Sequence, residues 1–273
     1  MYESYWKLRQ QPFGGSLDPE SYYKSPTHDE ALARMHYLVE NRRRLGILFG
    51  PTGSGKSLLL KVFAHELYAV AAATVYVNLL GVSVDDLQWS IAAQLGANPR
   101  ESDPAFHIWQ SITDRLTEKR YQQQSTVLLF DDADEAAREV LTQVVRLIQL
   151  DPSQDARTTV ILSADQSHVD RLGSRLLDLS ELRIDLEPWQ QFETAEYLGH
   201  CLGQVGSDSN VFDTEATLLL HELSNGVPRR INQLARLALV AGAGSNLSSI
   251  NEQTVESVYH ELVASSGSLL STN

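Results

Sequence analysis

One stretch of eight residues has the types and spacing needed to hold phosphate groups. An apolar run at residues 45–49 precedes it, and residues 58–64 after it have helical periodicity. The eight residues match the pattern G-x-x-x-x-G-K-[ST] at every fixed position, and they are Gly50, Pro51, Thr52, Gly53, Ser54, Gly55, Lys56 and Ser57. In such a loop the glycines let backbone N–H groups turn inward, and the next helix adds the unpaired N–H groups of its first turn. The sequence therefore predicts a binding site for a nucleoside triphosphate, made of these residues and Leu58.

Two side chains of this loop are predicted to act on ATP and Mg²⁺. Lys56 is placed to reach the β- and γ-phosphates, and Ser57 to ligate Mg²⁺. The metal also needs a carboxylate, and Asp131 directly follows the apolar run 126–130. Because the carboxyl ends of parallel strands open onto one crevice, we expect Asp131 to be the second Mg²⁺ ligand.

Asp132, the next residue, is predicted to be catalytic. Its carboxylate would accept a hydrogen bond from the attacking water and activate it. The alternative is that Asp131 and Asp132 cap a helix beginning near Ala133, where acidic residues are favourable. The two roles are compatible.

Further candidates for the reaction come from later in the chain. Ser163 ends the fourth predicted strand and is expected to orient the water or contact the γ-phosphate, or else to cap the following turn. Arg229 follows Gly226-Val227-Pro228 and is expected to reach the nucleotide, since phosphoryl transfer gains from cations. Arg183 is the candidate for an arginine that acts in trans on a neighbouring subunit, and Arg175 competes for that role. For each arginine the alternative is a surface ion pair with a nearby Asp or Glu.

The pattern of strands and helices must position these residues. Apolar runs predict strands at 45–49, 74–78, 126–130, 158–163 and 183–186, separated by helical patterns, one of which covers 168–179. This alternation is typical of α/β proteins with a doubly wound parallel sheet. Beyond Pro188 only helices are predicted. Thr27 and Glu30 have the spacing of a capping box for the helix that leads to the first strand.

Four regions follow from this pattern. Residues 1–45 are predicted to form a leader and a helix that pack on the core, residues 46–187 the nucleotide-binding domain, residues 188–264 a helical lid, and residues 265–273 a disordered tail.

Composition narrows the class of protein. The chain has 22 basic and 35 acidic residues, a net charge of −13, which weighs against a broad nucleic-acid surface but leaves room for a local basic strip. The densest basic run, residues 42–44, is interpreted as cations at a helix C-terminus. The sequence has no apolar run near the ~20 residues that span a bilayer and no secretory signal, so we expect a cytoplasmic protein without a membrane segment. Cys201 is expected to be a packed residue.

Taken together, these motifs resemble the AAA+ ATPases of the ExeA/GspA type, a group similar to the transposition regulators MuB and TnsC. The matching segments are Pro12-Phe13, Asp18-Pro19, Ser25-Pro26-Thr27-His28, the phosphate loop, residues 128–132, Arg183-Ile184, and Gly226-Val227-Pro228-Arg229-Arg230-Ile231-Asn232. The resemblance implies a P-loop NTPase fold with five strands in the order 5-1-4-3-2 and a helical lid over the nucleotide. It also implies ATP-dependent homo-oligomers in which an arginine completes a neighbour's site, and it makes Arg229 the sensor-2 residue.

The sequence departs from this family where the water would be activated. The family usually has Asp-Glu at this point, whereas this chain has Asp131-Asp132. A shorter carboxylate lies farther from the water, so hydrolysis is expected to be slow. Three functions remain open: an ATP-hydrolysing regulator acting on an unidentified protein partner, a slowly hydrolysing switch that recruits a partner when loaded with ATP, and a DNA-bound regulator, which the net charge disfavours.

Overall fold

The computed structural model describes residues 2–15, 17, 19, 22–69, 72–153, 155–207 and 211–270, the last six by backbone alone. Asp18, part of the predicted leader motif, and residues 271–273 of the predicted tail lie outside this set. No helix within the described ranges is long and apolar enough to cross a membrane.

Five parallel strands form the central sheet. They are β1 Leu45–Gly50, β2 Ala73–Asn78, β3 Thr126–Asp131, β4 Thr158–Asp165 and β5 Leu182–Asp185. The strand order is β2-β3-β4-β1-β5, so the predicted order 5-1-4-3-2 is confirmed. β4 runs two residues farther than predicted, which places Ser163 inside the strand, and β5 begins one residue earlier, which places Arg183 inside it.

Helices cover both faces of the sheet and make up the C-terminal part of the chain. They are α1 Tyr2–Tyr5, α2 Pro26–Glu40, α3 Lys56–Ala69, α4 Val84–Gln94, α5 Ala105–Tyr121, α6 Arg138–Ile148, α7 Ser174–Leu179, α8 Gln191–Gln204, α9 Thr214–Ser224, α10 Pro228–Gly244 and α11 Glu252–Leu270, with 3₁₀ turns at Ala133–Glu135 and Gln166–Leu172.

The interior of β3, residues 127–130, contains only apolar residues because both of its faces are covered. Leu128 and Phe130 belong to the core on one face of the sheet, while Val127 and Leu129 belong to the core on the other. Successive side chains of a strand point to opposite faces, so a strand covered on both sides must be apolar throughout. This arrangement places Asp131 at the carboxyl end of an apolar strand.

Three local predictions are corrected by the structure. Ser25, not Thr27, caps α2, because Pro26 suits the first helical position, where its missing N–H costs nothing. Residues 168–179 are not one helix, since Gly173 adopts φ 75° between the 3₁₀ turn and α7. The last helix extends to Leu270, past the start of the predicted tail.

The leader also differs from the prediction. α2 packs against the sheet as expected, but the segment before it belongs to the helical domain, where Trp6, Leu8 and Phe13 join the core formed by α8 to α11. The indole N–H of Trp6 donates to the Leu239 carbonyl at 2.9 Å, which satisfies the polar group of a buried aromatic. The helical lid is therefore built from both ends of the chain.

Trp6→Ala is expected to destabilise the helical domain strongly. Trp6 is buried against α10 and its removal leaves a cavity, for which large-to-small core changes cost about 3–5 kcal/mol. The urea midpoint of the variant should fall accordingly. Trp89→Ala is the matched control because Trp89 is 44% exposed on α4, and it should shift the midpoint little. Equal shifts for both variants would mean that the N-terminal segment does not contribute to the lid core.

Candidate nucleotide site

The phosphate loop lies between the sheet, the leader and the lid. Gly53 and Gly55 adopt φ values of 87° and 104°, a region that favours glycine. A Cβ on Gly53 would lie 2.8 Å from Cβ of Arg229, and one on Gly55 would lie 2.9 Å from Nε2 of His28. Both glycines therefore permit the backbone turn and the close approach of the lid and the leader.

Lys56 is held inside the loop that it serves. It is the first residue of α3, it is 8% exposed, and its Nζ donates to the Gly50 carbonyl at 2.7 Å and to that of Pro51 at 3.3 Å. Burial lowers the pKa of the ammonium, while Asp165 and the carboxylates of residues 131, 132 and 134 act in the opposite direction. The ammonium of Lys56 thus lies inside the loop, where phosphate oxygens are expected.

Asp131 is fully buried, and both of its carboxylate oxygens accept hydrogen bonds. The Ser163 hydroxyl donates to Oδ1, and the Tyr76 hydroxyl donates to Oδ2 at 2.9 Å. The Ser163 oxygen also accepts the backbone N–H of Asp132 at 3.0 Å. Ser163 therefore holds the two acidic residues in place, and its hydroxyl is directed at them.

Asp132 is held by a partner on the neighbouring strand. Its Oδ2 accepts Nδ2 of Asn78 at 2.7 Å, and the Asn78 carbonyl oxygen accepts the backbone N–H of Leu80 at 2.9 Å, which fixes the orientation of the amide. The pKa of Asp132 is raised, chiefly by burial, and the hydrogen bond from Asn78 offsets part of this rise. The backbone has φ 53°, a conformation that Asp adopts more readily than most residues.

The donor set fits Mg²⁺. Hydroxyl and carboxylate oxygens are the hard ligands that this ion prefers, and the ion keeps several of its waters. Ser57 lines the cleft, and the buried Asp131 accepts two hydrogen bonds, which leaves acceptor positions free on a carboxylate that has about four. Ser57 and Asp131 would hold the ion, and Asp131 would do so while still bound to Ser163 and Tyr76.

The helical domain lies directly against the loop. The backbone N–H of Arg229 donates to the Gly53 carbonyl at 3.2 Å. One face of α10 borders a cleft of about 500 Å³ through residues at i, i+3, i+4 and i+7, namely Arg229, Asn232, Gln233 and Arg236. The opposite side of the cleft is formed by the loop and its neighbours, including Thr52, Gly53, Gly55, Lys56, Ser57, Leu58 and Asp132.

The predicted trans-acting arginines lie elsewhere. Arg183 is half exposed on the edge strand β5, where its Nε donates to Asp185 at 2.8 Å and its guanidinium lies 4.6 Å from the centroid of the Phe49 ring. Arg175 donates to Gln149 at 3.0 Å. Neither borders the cleft of its own chain.

The sequence places Asp165 beside Ser163 at the end of the fourth strand, but Ser163 was preferred as the site residue. It is the last residue of β4, paired in register with Gly50, and its Oδ2 accepts the Thr52 hydroxyl at 2.8 Å. Burial acts to raise the pKa of Asp165. Hydrogen bonds from Ser167 and Thr52 and the charge of Lys56 outweigh burial and lower this pKa to about 2. A strand two residues longer than the apolar run suggested brings this carboxylate to the phosphate loop.

Comparison with known proteins agrees with this geometry. A family model described as an AAA domain matches residues 39–172, from the end of α2 to the 3₁₀ turn after β4. Residues 39–172 are therefore similar to an AAA domain. The matched range holds the phosphate loop, Asp131, Asp132 and Ser163, while the helical lid lies beyond it.

General secretion pathway protein A of Aeromonas hydrophila is 26% identical to this chain over 246 residues. The match covers 88% of the chain and 45% of that protein, so the chain spans less than half of the relative's length. The resemblance to AAA+ ATPases of this type is confirmed.

Solved AAA+ structures share the fold. The ORC2 protein of Aeropyrum pernix, in ADPNP-ADP complexes, matches with a TM-score of 0.67 at 17% identity, covering 93% of this chain and 72% of its own. The ORC1 protein of Aeropyrum pernix in complex with DNA matches equally well, with 70% of its chain covered. The RuvB Holliday junction branch migration motor of Thermotoga maritima has a TM-score of 0.58 at 17% identity and covers 93% of this chain and 74% of its own. Identity this low shows the fold alone.

The leader places one buried imidazole, that of His28, against the phosphate loop. His28 is 4% exposed, and burial lowers the pKa of its imidazole, while the Ser54 carbonyl and the charges of Glu193 and Asp29 act in the opposite direction. A neutral histidine in the folded protein remains uncharged at a pH where the unfolded chain takes up a proton.

Acidification is therefore expected to destabilise the protein through His28. As the pH falls through the unfolded pKa of about 6.5, the unfolded state binds the proton first, and stability declines until the folded pKa is passed. Urea unfolding of wild type and His28→Gln at pH 7.5 and pH 5.5 checks this. Lowering the pH should reduce the free energy of unfolding of the wild type more than that of His28→Gln. An equal reduction in both proteins would show that the pKa of His28 does not change on folding.

Proposed function

We propose that this chain is an ATP-binding and ATP-hydrolysing AAA+ regulator whose lid reports the state of the nucleotide to a protein partner. The observation that carries the proposal is the direct hydrogen bond between the Arg229 backbone and the Gly53 carbonyl. A group bound by the phosphate loop would contact the lid at once, because Arg229 and Lys56 border the same cleft.

In the proposed reaction the residues have separate roles. Residues 50–58 bind the phosphates, Lys56 stabilises the charge of the γ-phosphoryl group, and Ser57 and Asp131 hold Mg²⁺. Asp132 accepts a hydrogen bond from the attacking water, and Ser163 positions Asp131 and Asp132 through its hydroxyl. Arg229 acts as the sensor-2 cation from the lid. The Mg²⁺ ion, when bound, neutralises charge on the transferred phosphoryl group.

We propose that the active form is a homo-oligomer in the cytoplasm in which Arg183 completes the site of a neighbour. Arg183 supports this because it lies on an edge strand, half exposed, and away from its own cleft. Its pairing with Asp185 is the competing structural role.

Mg-ATP titration of the purified protein, followed by ATPase assays at several protein concentrations, tests the function. Saturable binding and a specific activity that rises with protein concentration would support an ATPase that matures on assembly. Protein that fails to bind Mg-ATP would exclude the proposal.

A DNA-bound regulator is the second candidate, favoured by the fold shared with an ORC1 protein solved in complex with DNA. Two observations oppose it. The net charge is −13, and the basic run 42–44 is engaged, with Arg43 3.4 Å from Glu181 and Arg44 bonded to the Ser153 carbonyl at 3.1 Å. ATP-dependent retention on duplex DNA at low salt would favour this candidate, and its absence there would remove it.

A further inference from the structure

We propose that His28 is a positioning residue of the phosphate loop, which orients the peptide between Ser54 and Gly55 so that the Gly55 N–H faces the phosphates. The proposal rests on the ATP-binding function proposed above. It assigns a role to the Ser25-Pro26-Thr27-His28 segment, which the sequence singles out and which the reaction chemistry leaves unused.

A chain of hydrogen bonds fixes the tautomer of His28. Its Nε2 lies 3.0 Å from the Ser54 carbonyl oxygen, which can only accept, so Nε2 must carry the proton. Its Nδ1 is then an acceptor and lies 3.0 Å from the Ser25 hydroxyl, which donates to it. The same hydroxyl oxygen accepts the backbone N–H of His28 at 3.2 Å. Every polar atom of the ring therefore has one defined partner.

The bond to Ser54 controls the direction of the next N–H. A trans peptide is planar, so the C=O of Ser54 and the N–H of Gly55 point in opposite directions. With the carbonyl directed at His28, the Gly55 N–H is directed away from His28, and Gly55 borders the cleft. Backbone N–H groups of this loop are what a phosphate binds, so holding the carbonyl prepares the donor.

The imidazole has little freedom to move. Its ring packs edge-on against the buried Trp189 at 5.6 Å between centroids, and a Cβ on Gly55 would approach its Nε2 to 2.9 Å. The preceding residue is anchored as well, because the backbone N–H and hydroxyl of Thr27 each donate at 3.0 Å to Glu193, a buried carboxylate of α8. The leader thus joins the loop to the lid through adjacent residues.

Two substitutions separate the hydrogen bond from the packing. His28→Phe keeps an aromatic ring against Trp189 but removes the donor, and His28→Gln keeps an N–H donor without the ring. Titration of each purified protein with Mg-ATP and Mg-ADP is the measurement, with circular dichroism and urea unfolding as the check on folding. We expect His28→Phe to bind both nucleotides about tenfold more weakly, the size of one lost hydrogen bond, and His28→Gln to recover most of the affinity.

The outcomes are distinguishable. Wild type that does not bind Mg-ATP would remove the proposed function and this inference with it. Wild type that binds, with His28→Phe binding equally well, overturns the inference alone. Equal weakening in both variants assigns His28 a packing role and also overturns it.

If His28→Phe fails to fold, Ser25→Ala takes its place, since it releases Nδ1 without touching the loop. A severalfold loss of affinity is expected for Ser25→Ala, and unchanged affinity there overturns the inference.

Discussion

Replacing Lys56 with alanine is expected to weaken Mg-ATP binding by about a hundredfold or more and to remove hydrolysis. The ammonium is buried inside the loop, 2.7 Å from the Gly50 carbonyl, and no other lysine borders the cleft among the described residues. Truncating one partner of a buried, hydrogen-bonded charge pair costs about 2–5 kcal/mol, and the triphosphate would lose such a partner. Calorimetric titration with Mg-ATP measures the loss.

A matched control separates charge from folding in this experiment. Lys119→Ala removes a lysine of α5 whose Nζ donates to Gln124 at 3.3 Å and which does not border the cleft. It should leave nucleotide affinity unchanged. Urea unfolding of Lys56→Ala without nucleotide should show a loss of about 1–3 kcal/mol at most, because the buried Gly50 carbonyl loses its donor. Unchanged ATP affinity in Lys56→Ala would mean that the loop does not bind the nucleotide in the proposed way.

The sequence predicts the fold well because its strongest signals are local. Residues 45–49 before Gly50 and residues 127–130 before Asp131 are apolar throughout, as expected of strands covered on both faces. The phosphate loop is likewise a continuous segment, so its pattern and flanks are enough to place it. Strand order followed from the family resemblance, since pairing between distant strands leaves no mark in one sequence.

The parts of the site that sequence reasoning missed depend on contacts between distant segments. Tyr76 and Asn78 reach residues 131 and 132 across 54 or 55 positions of the chain, and Glu193 meets Thr27 across 166. Such partners become visible only when the register of β2 on β3 is known. Arg236 had a usable signal, because it follows Arg229 by seven residues and therefore lies on the same face of α10.

The leader was misplaced for a related reason. Its apolar residues, Trp6, Leu8 and Phe13, have no periodicity that identifies a partner, and the helical domain needed them to complete its core. As a result the chain enters the lid, crosses to the sheet through α2, and returns to the lid at α8. This path gives the leader contact with both the phosphate loop and the lid.

The second large effect concerns Asp132. Asp132→Asn is expected to slow hydrolysis by about 10²–10⁴-fold while leaving Mg-ATP affinity nearly unchanged, because an amide cannot accept the proton of the attacking water. Single-turnover assays with excess enzyme report the chemical step directly. Asn78→Ala is the control, since it removes the partner at 2.7 Å but keeps the carboxylate, and it should retain far more activity than Asp132→Asn. Equal rates for wild type and Asp132→Asn would exclude Asp132 as the activating group.

The companion variant, Asp132→Glu, tests whether the short carboxylate sets the rate. In the structure Asp132 is directed at Asn78 from a backbone with φ 53°, where Asp is tolerated better than Glu. Lengthening the side chain should therefore cost a little stability but bring the carboxylate about 1 Å farther into the cleft, where errors of that size change rates by about a hundredfold. We expect single-turnover hydrolysis to accelerate at least tenfold. Fast wild-type turnover without acceleration would show that the chain is an efficient ATPase and would exclude the slowly hydrolysing switch, whereas acceleration would support that switch.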